Sequence, residues 1–297
     1  MCMTKYIDPF TDFGFKRIFG NEKHKNLLIS FLNNLLDIKY PITEIEYKNL
    51  EKLGLNVADR KAVLDVYCKD SQGNRFIVEL QRAKQNFFKD RSLYYTSFVI
   101  QEQAQRGDWN YQLDPIYFIG ILEFELNNTD DKYLTKVELI DTNTKEVFYD
   151  KLAYYYIEIP KFKKEEKELK NELDYWLYFM KNVSKLEDMP DSFKSHKDLK
   201  EAFDVASFLA LSPDEQFAYQ MDMKARLDYK NTLDTALQEG FEQGVKEGIE
   251  KGIEQGIEKG KKETQIEIAK TLLSQNVDVE IIKVSTGLSI EEIESLK

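Results

Sequence analysis

Residues 61–85 constrain this chain most. They read KAVLDVYCKD, then SQGN, then RFIVELQRAKQ. Val63, Asp65, Tyr67 and Lys69 alternate with Leu64, Val66 and Cys68, and residues 74–80 repeat the β-branched and aromatic enrichment, so two strands are expected. Ser71, Gln72, Gly73 and Asn74 join them as a short hairpin loop. A tight loop places Asp65 and Glu79 nearly opposite each other on one face, where a half-buried hairpin ordinarily carries apolar residues. Gln81 lies two residues beyond Glu79, and the period of two puts it on that face too.

Two carboxylates side by side in a semi-apolar sheet repel each other and lose hydration, so they call for a compensating cation. Oxygen-only ligands suit Mg²⁺ or Mn²⁺, with water and substrate phosphate completing the shell. That expectation fails if the two acids face opposite layers, or are buried against a permanent Arg or Lys partner.

The surrounding periodicity predicts an α/β fold. A helix is expected from near Asp12, where residues 8–12 have turn and cap chemistry, and a second over residues 25–36 with Leu28, Phe31, Leu32 and Leu35 on one face. Residues 41–53 read as a strand ended by Gly54, residues 87–105 as a long helix stopped near Gly107, and residues 114–124 as a nearly continuous apolar strand suited to a sheet covered on both sides. Three short strands follow within residues 133–159 (VELI, EVFY and YYYIEI), with a turn at 141–144, and Pro160 closes them. Helices are then expected over residues 166–185, 197–211 and from Pro213 to about 230, Ser212 capping the last.

The order helix, three strands, helix, strand resembles the core of the PD-(D/E)XK nuclease superfamily, with Asp65 as its Asp, Glu79 as its acidic residue and Gln81 standing where the pattern has Lys. The opening stretch KYIDPFTDFGFKRIFGNEKHKNLLISFLNNLL resembles one branch, the recombination-promoting nuclease and transposase-like family, whose D-x-x-F-K-x-x-F signature is matched by Asp12, Phe15, Lys16 and Phe19. Arg91, Tyr94, Gln103, Gly107 and Tyr111 continue the likeness. The resemblance implies a metal-dependent DNA endonuclease that promotes recombination, with Asp65, Glu79 and Gln81 as catalytic residues and Asp12, Asp65 and Glu79 as Mg²⁺ or Mn²⁺ ligands. Asp12 is the helix acid most suited to join the metal, as an added or water-mediated ligand; the alternative, compatible with it, is a helix N-cap. Because Gln can only hydrogen-bond where Lys would bring charge, weakened cleavage is expected, with Arg82 or Lys84 as substitutes for the missing cation. The alternative is a catalytically silent DNA-binding or assembly module on the same fold.

Charge distribution fits this reading. The whole chain carries a formal net charge of −11, which excludes blanket attraction to a polyanion. Residues 1–111 nevertheless hold 17 Lys and Arg against 14 Asp and Glu, leaving 25 against 39 for the remainder. Lys16, Arg82, Lys84, Lys89 and Arg91 are the candidate DNA-backbone contacts. Two cysteines are too few for a disulfide framework, and Cys68 and Cys2 have no metal spacing with His24 or His196, both expected at the surface. No apolar run approaches a membrane span, and the N-terminal MCMTKYIDPF lacks the apolar stretch of a secretory signal, so a cytoplasmic protein is expected.

Four segments are expected: a nuclease core over residues 1–160, a helical extension over 161–235, a glycine-repeat helix over 236–262 and a small helix-turn-helix-like unit over 263–297. In the third, Gly240, Gly244, Gly248, Gly252, Gly256 and Gly260 recur every four residues, each followed by an apolar residue up to Ile257. An interior helical Gly costs about 1 kcal/mol against Ala, so something must offset the loss. Close approach of a second copy is the expected compensation, making this helix the site of homo-oligomerisation; a flexible helical linker is the alternative. The last unit ends in a helix bearing Glu291, Glu292 and Glu294, which repel phosphate.

Overall fold

A computed structural model of the 297-residue chain describes residues 4–48, 64–104, 108–126 and 130–296. The end of the first expected strand with Gly54, the hairpin entry at 61–63, the helix stop at Gly107, and Cys2 lie outside the described residues. The chain divides into two compact units, one up to Arg226 and one from Leu227.

The first unit is built on a six-stranded sheet in the order β1-β2-β3-β4-β6-β5. Strands β1 (Ile45–Tyr47), β2 (Val66–Asp70) and β3 (Arg75–Gln81) are antiparallel neighbours, while β4 (Ile116–Leu122) runs parallel to β3, as a connection through helix α3 (Phe88–Glu102) requires. The hairpin is covered on both faces, not half-buried as expected, and alternate side chains enter two different cores. Val66, Cys68, Phe76, Val78 and Leu80 face a large core shared with α1 (Asp12–Phe19), α2 (Lys25–Leu35), α4 (Glu172–Asn182) and α5 (Lys197–Ala206). Tyr67 and Ile77 face the smaller core beneath α3, with Phe88, Val99, Phe118 and Tyr156. Trp176, Phe19 and Phe31 meet in the larger core, so residues beyond 160 share it with α1 and α2.

Two boundaries differ from the sequence expectation for identifiable reasons. EVFY and YYYIEI are one strand, β6 (Val147–Glu158), paired with β4 and with β5 (Leu134–Ile140). Glu138 pairs with Ala153 and Leu139 with Tyr149, so residues 150–152 bulge from the β5 ladder. A bulge inserts unpaired residues without ending a strand, and the polar Asp150 and Lys151 within it made one strand read as two. The helix from Pro213 continues without interruption to Ser274 as α6, through the whole glycine repeat. Its part up to Arg226 belongs to the first unit.

In the second unit the end of α6 joins α7 (Val279–Thr286) and α8 (Ile290–Glu294) around Ala269, Ile282, Leu288 and Ile293. Gly287 ends α7 at φ 74°, a left-handed conformation that Gly adopts without strain, and Ser289 caps α8. Among the described residues, no helix is long and apolar enough to cross a membrane.

Candidate active site

The hairpin loop fixes the site. Asp70 Oδ1 accepts the N–H groups of Gln72 and Asn74 at 2.9 and 2.8 Å, and its Oδ2 accepts Asn74 Nδ2 at 2.7 Å. Gly73 turns the chain at φ 96°. This clasp sets Val66 opposite Val78, and continuing that register by one residue brings Asp65 opposite Glu79.

The two acids then hold each other through the backbone. Asp65 N–H donates to Glu79 Oε1 at 3.1 Å, and Leu80 N–H donates to Asp65 Oδ2 at 2.7 Å. Glu79 is 1% exposed. Its neighbour on β4 is Gly120, where a Cβ would stand 3.2 Å from the Tyr156 ring and 3.4 Å from Phe118 and Phe88.

Burial pushes the Glu79 carboxyl up to about 8, and the negative charge of Asp65 adds to the shift. The Asp65 carboxyl is raised as well, chiefly by burial; the Leu80 N–H opposes that shift and the Asp12 charge reinforces it. Both shifts favour the protonated carboxyl, so a cation bound there would have to displace a proton.

One cation is already present. Arg91, from the second turn of α3, donates Nη2 to Glu79 Oε2 at 3.2 Å and Nη1 to Gln85 Oε1 at 2.8 Å. The sequence placed Arg91 on a DNA-facing surface; the fold turns it inward over Glu79. Its charge opposes the rise of the Glu79 carboxyl without cancelling it, and it is a basic partner of the kind that counts against a metal at the pair. The Oε1 of Gln81 is buried with no hydrogen-bond partner, as is Arg91 Nε.

Other predicted residues sit further out. Thr11, not Asp12, caps α1: its hydroxyl accepts Gly14 N–H at 2.9 Å. Asp12 occupies the first turn and bonds Lys16 Nζ at 2.8 Å. Among the described residues no three His, Cys, Asp or Glu side chains are grouped closely enough to hold one ion. Arg82 lies past the end of β3, 3.7 Å from Asp222, which also accepts Phe13 N–H. Lys84 and Lys89 are at exposed positions. His24 and His196 are half-buried instead of superficial, each bonded to a glutamate, Glu201 and Glu172. A cleft of about 550 Å³ beside α1 is lined by Asp12, Lys16, Arg17 and Asp222 but includes neither hairpin acid.

The donor set is oxygen-only, as a hard divalent ion prefers: the buried Glu79 carboxylate, the half-buried Asp65 carboxylate and an amide oxygen without a donor. Opposed acids on adjacent strands, a crossover helix and a parallel fourth strand are the family's frame, and a family model, the PD-(D/E)XK nuclease family transposase, matches residues 9–236. The chain belongs to this family. Membership carries a nuclease-type, transposase-related function, with DNA as the implied substrate and a divalent metal as the general cofactor of PD-(D/E)XK nucleases. No curated protein matches the chain significantly, and no solved structure does.

Proposed function

We propose that this PD-(D/E)XK family protein is a Mg²⁺- or Mn²⁺-dependent DNA endonuclease whose cuts promote recombination. The observation that carries the reading is the Asp65–Glu79 pair, buried on one face, bonded through the backbone and held in an electrostatic state that a divalent cation relieves. Asp65 and Glu79 would hold the ion, with Asp12 acting through a water. A bound Mg²⁺ would polarise the phosphate and lower the pKa of a nearby water. The N–H groups of Leu80 and Asp65 fix the carboxylates that would ligate the ion. Gln81 Oε1, an acceptor with no donor, suits a hydrogen bond from the attacking water and would orient it. Lys16, Lys84 and Lys89 contact the DNA backbone in this reading, and Arg82 does so once parted from Asp222.

One observation favours the silent alternative: both Glu79 oxygens already have donors, Asp65 N–H and Arg91. Plasmid nicking separates the two. Wild type should nick supercoiled DNA with Mg²⁺ and stop with EDTA, and Asp65→Ala should not nick. Equal nicking by both proteins would remove Asp65 from the chemistry.

Self-association through α6 belongs to the same proposal. Phe241, Val245, Ile249, Ile253 and Ile257 are all exposed, and from Gly240 to Gly260 every glycine has open space where a Cβ would lie. A second copy laid along this ridge would cover the apolar residues with close backbone approach. The four-residue spacing exceeds 3.6, so the stripe drifts around the helix and favours a right-handed crossing.

A further inference from the structure

The catalytic pattern of this chain lacks a cation at position 81, and the geometry points to Arg91 as its replacement. We propose that Arg91 contacts the scissile phosphate during cleavage, supplying from α3 the positive charge that Gln81 does not supply from β3. This rests on the nuclease reading above.

Three observations converge on Arg91. Its guanidinium reaches the acid pair directly, 3.2 Å from Glu79, whereas Arg82 lies against Asp222 and Lys16 against Asp12. It is held as a reusable arm: Nη1 is anchored by Gln85, and the guanidinium carbon lies 5.8 Å from the Phe88 ring centre and 5.2 Å from that of Tyr95. Rings at that range attract a cation without consuming its hydrogen bonds. The fork is also incomplete, because Nε is buried with no acceptor. An unpartnered donor beside a half-used fork matches a tetrahedral oxyanion, which accepts two parallel N–H groups.

The contact with Glu79 is then a resting position. Without metal, Arg91 partly balances the carboxylates. Asp65 and Glu79 would hold the divalent ion, and its charge would weaken the Arg91–Glu79 attraction and free the guanidinium to turn to the phosphate. In the reaction a water oxygen forms a bond to phosphorus while one P–O ester bond breaks; the water proton ends on the leaving oxygen, giving a phosphomonoester and an alcohol. Negative charge builds on the non-bridging oxygens between these states, where a fixed guanidinium stabilises it. Arg91 should therefore lower the barrier while competing with the metal for Glu79.

That pair of roles gives opposite signs in two measurements on the full chain. Arg91→Met should lower the single-turnover rate on a labelled duplex in Mg²⁺ by about 100-fold or more. The same variant should bind Mn²⁺ more tightly, read as a larger rise of the melting temperature across a Mn²⁺ titration without DNA. Adding Gln81→Lys to Arg91→Met should restore at least about tenfold of the rate, since the charge returns from the strand. Arg91→Gln is the second variant, read the same way should Arg91→Met fail to fold. Cleavage by folded Arg91→Met within about threefold of wild type overturns the assignment. So does a parallel loss of Mn²⁺ binding and cleavage that Gln81→Lys leaves unrepaired, which marks a structural residue. Wild-type protein that binds Mn²⁺ yet leaves DNA intact overturns the nuclease reading, and this assignment with it.

Discussion

Replacing Glu79 by Gln should stabilise the metal-free protein at alkaline pH, an unusual outcome for a buried charged residue with an Arg partner. The Glu79 carboxyl moves from 4.5 to about 8 on folding. An acid whose folded value is raised contributes stability that is fully present below the unfolded value and is lost as pH rises through the folded value. At about 1.4 kcal/mol per unit, the ceiling for that loss between pH 4.5 and pH 8 is on the order of 5 kcal/mol. Glu79 keeps Asp65 N–H and Arg91 when ionised, and Gln retains the acceptor for Asp65 N–H, so we expect about half the ceiling, roughly 2–3 kcal/mol, as the Glu79→Gln advantage at pH 9. In EDTA this should appear as a melting temperature higher by about 5–10 °C, shrinking towards zero near pH 5. Urea unfolding at both pH values gives the same comparison as free energies. A Glu79→Gln protein less stable than wild type at pH 9, or a difference independent of pH, would refute the reasoning: Arg91–Glu79 would then be a stabilising ion pair and the site would not demand a cation.

Four further outcomes follow from the fold. Gly120→Ala should cost about 1–3 kcal/mol in urea unfolding, because its Cβ meets Tyr156, Phe118 and Phe88 at 3.2–3.4 Å. Thr11→Ala should cost about 1 kcal/mol through loss of the α1 cap, and Asp12→Ala clearly less, which the same measurement ranks. Asp70→Ala should loosen the hairpin loop by about 1–3 kcal/mol and lower cleavage with it, since the Asp65–Glu79 register starts from that clasp. Gly248→Leu combined with Gly252→Leu should lower the sedimentation mass if copies meet along the glycine ridge; an unchanged mass counts against that contact.

The hairpin was legible because strand alternation and a short loop leave little freedom of register; the loop is one residue shorter than the four expected, since Lys69 pairs with Arg75 and Asp70 N–H donates to the Asn74 carbonyl, and that register sets Asp65 opposite Glu79. Parity then placed Gln81 beside them. The Arg91 contact was not legible. It depends on where α3 begins, and Phe87 starts that helix in a left-handed conformation, at φ 65°, without a capping side chain. Neither propensity nor spacing predicts that geometry, which sets the rotation of Arg91 over the sheet. Asp70 was readable from local sequence, since Asp before a Gly-containing turn commonly accepts nearby N–H groups, but the charge pattern drew attention to the other acids. Thr11 and Asp12 show a one-residue limit of cap reading, because both residue types favour the position. The continuity of α6 was obscured by glycines that weaken a helix individually, while the Glu, Lys and Gln between them sustain it.

The central claim is that Asp65 and Glu79 together hold a divalent cation. Crystals of the full chain soaked in Mn²⁺ and measured at the manganese absorption edge test it most directly. We predict an anomalous peak shared by the two carboxylates, with Arg91 withdrawn from Glu79. Ordered carboxylates without such a peak, and Arg91 still bonded to Glu79 at saturating Mn²⁺, would contradict it.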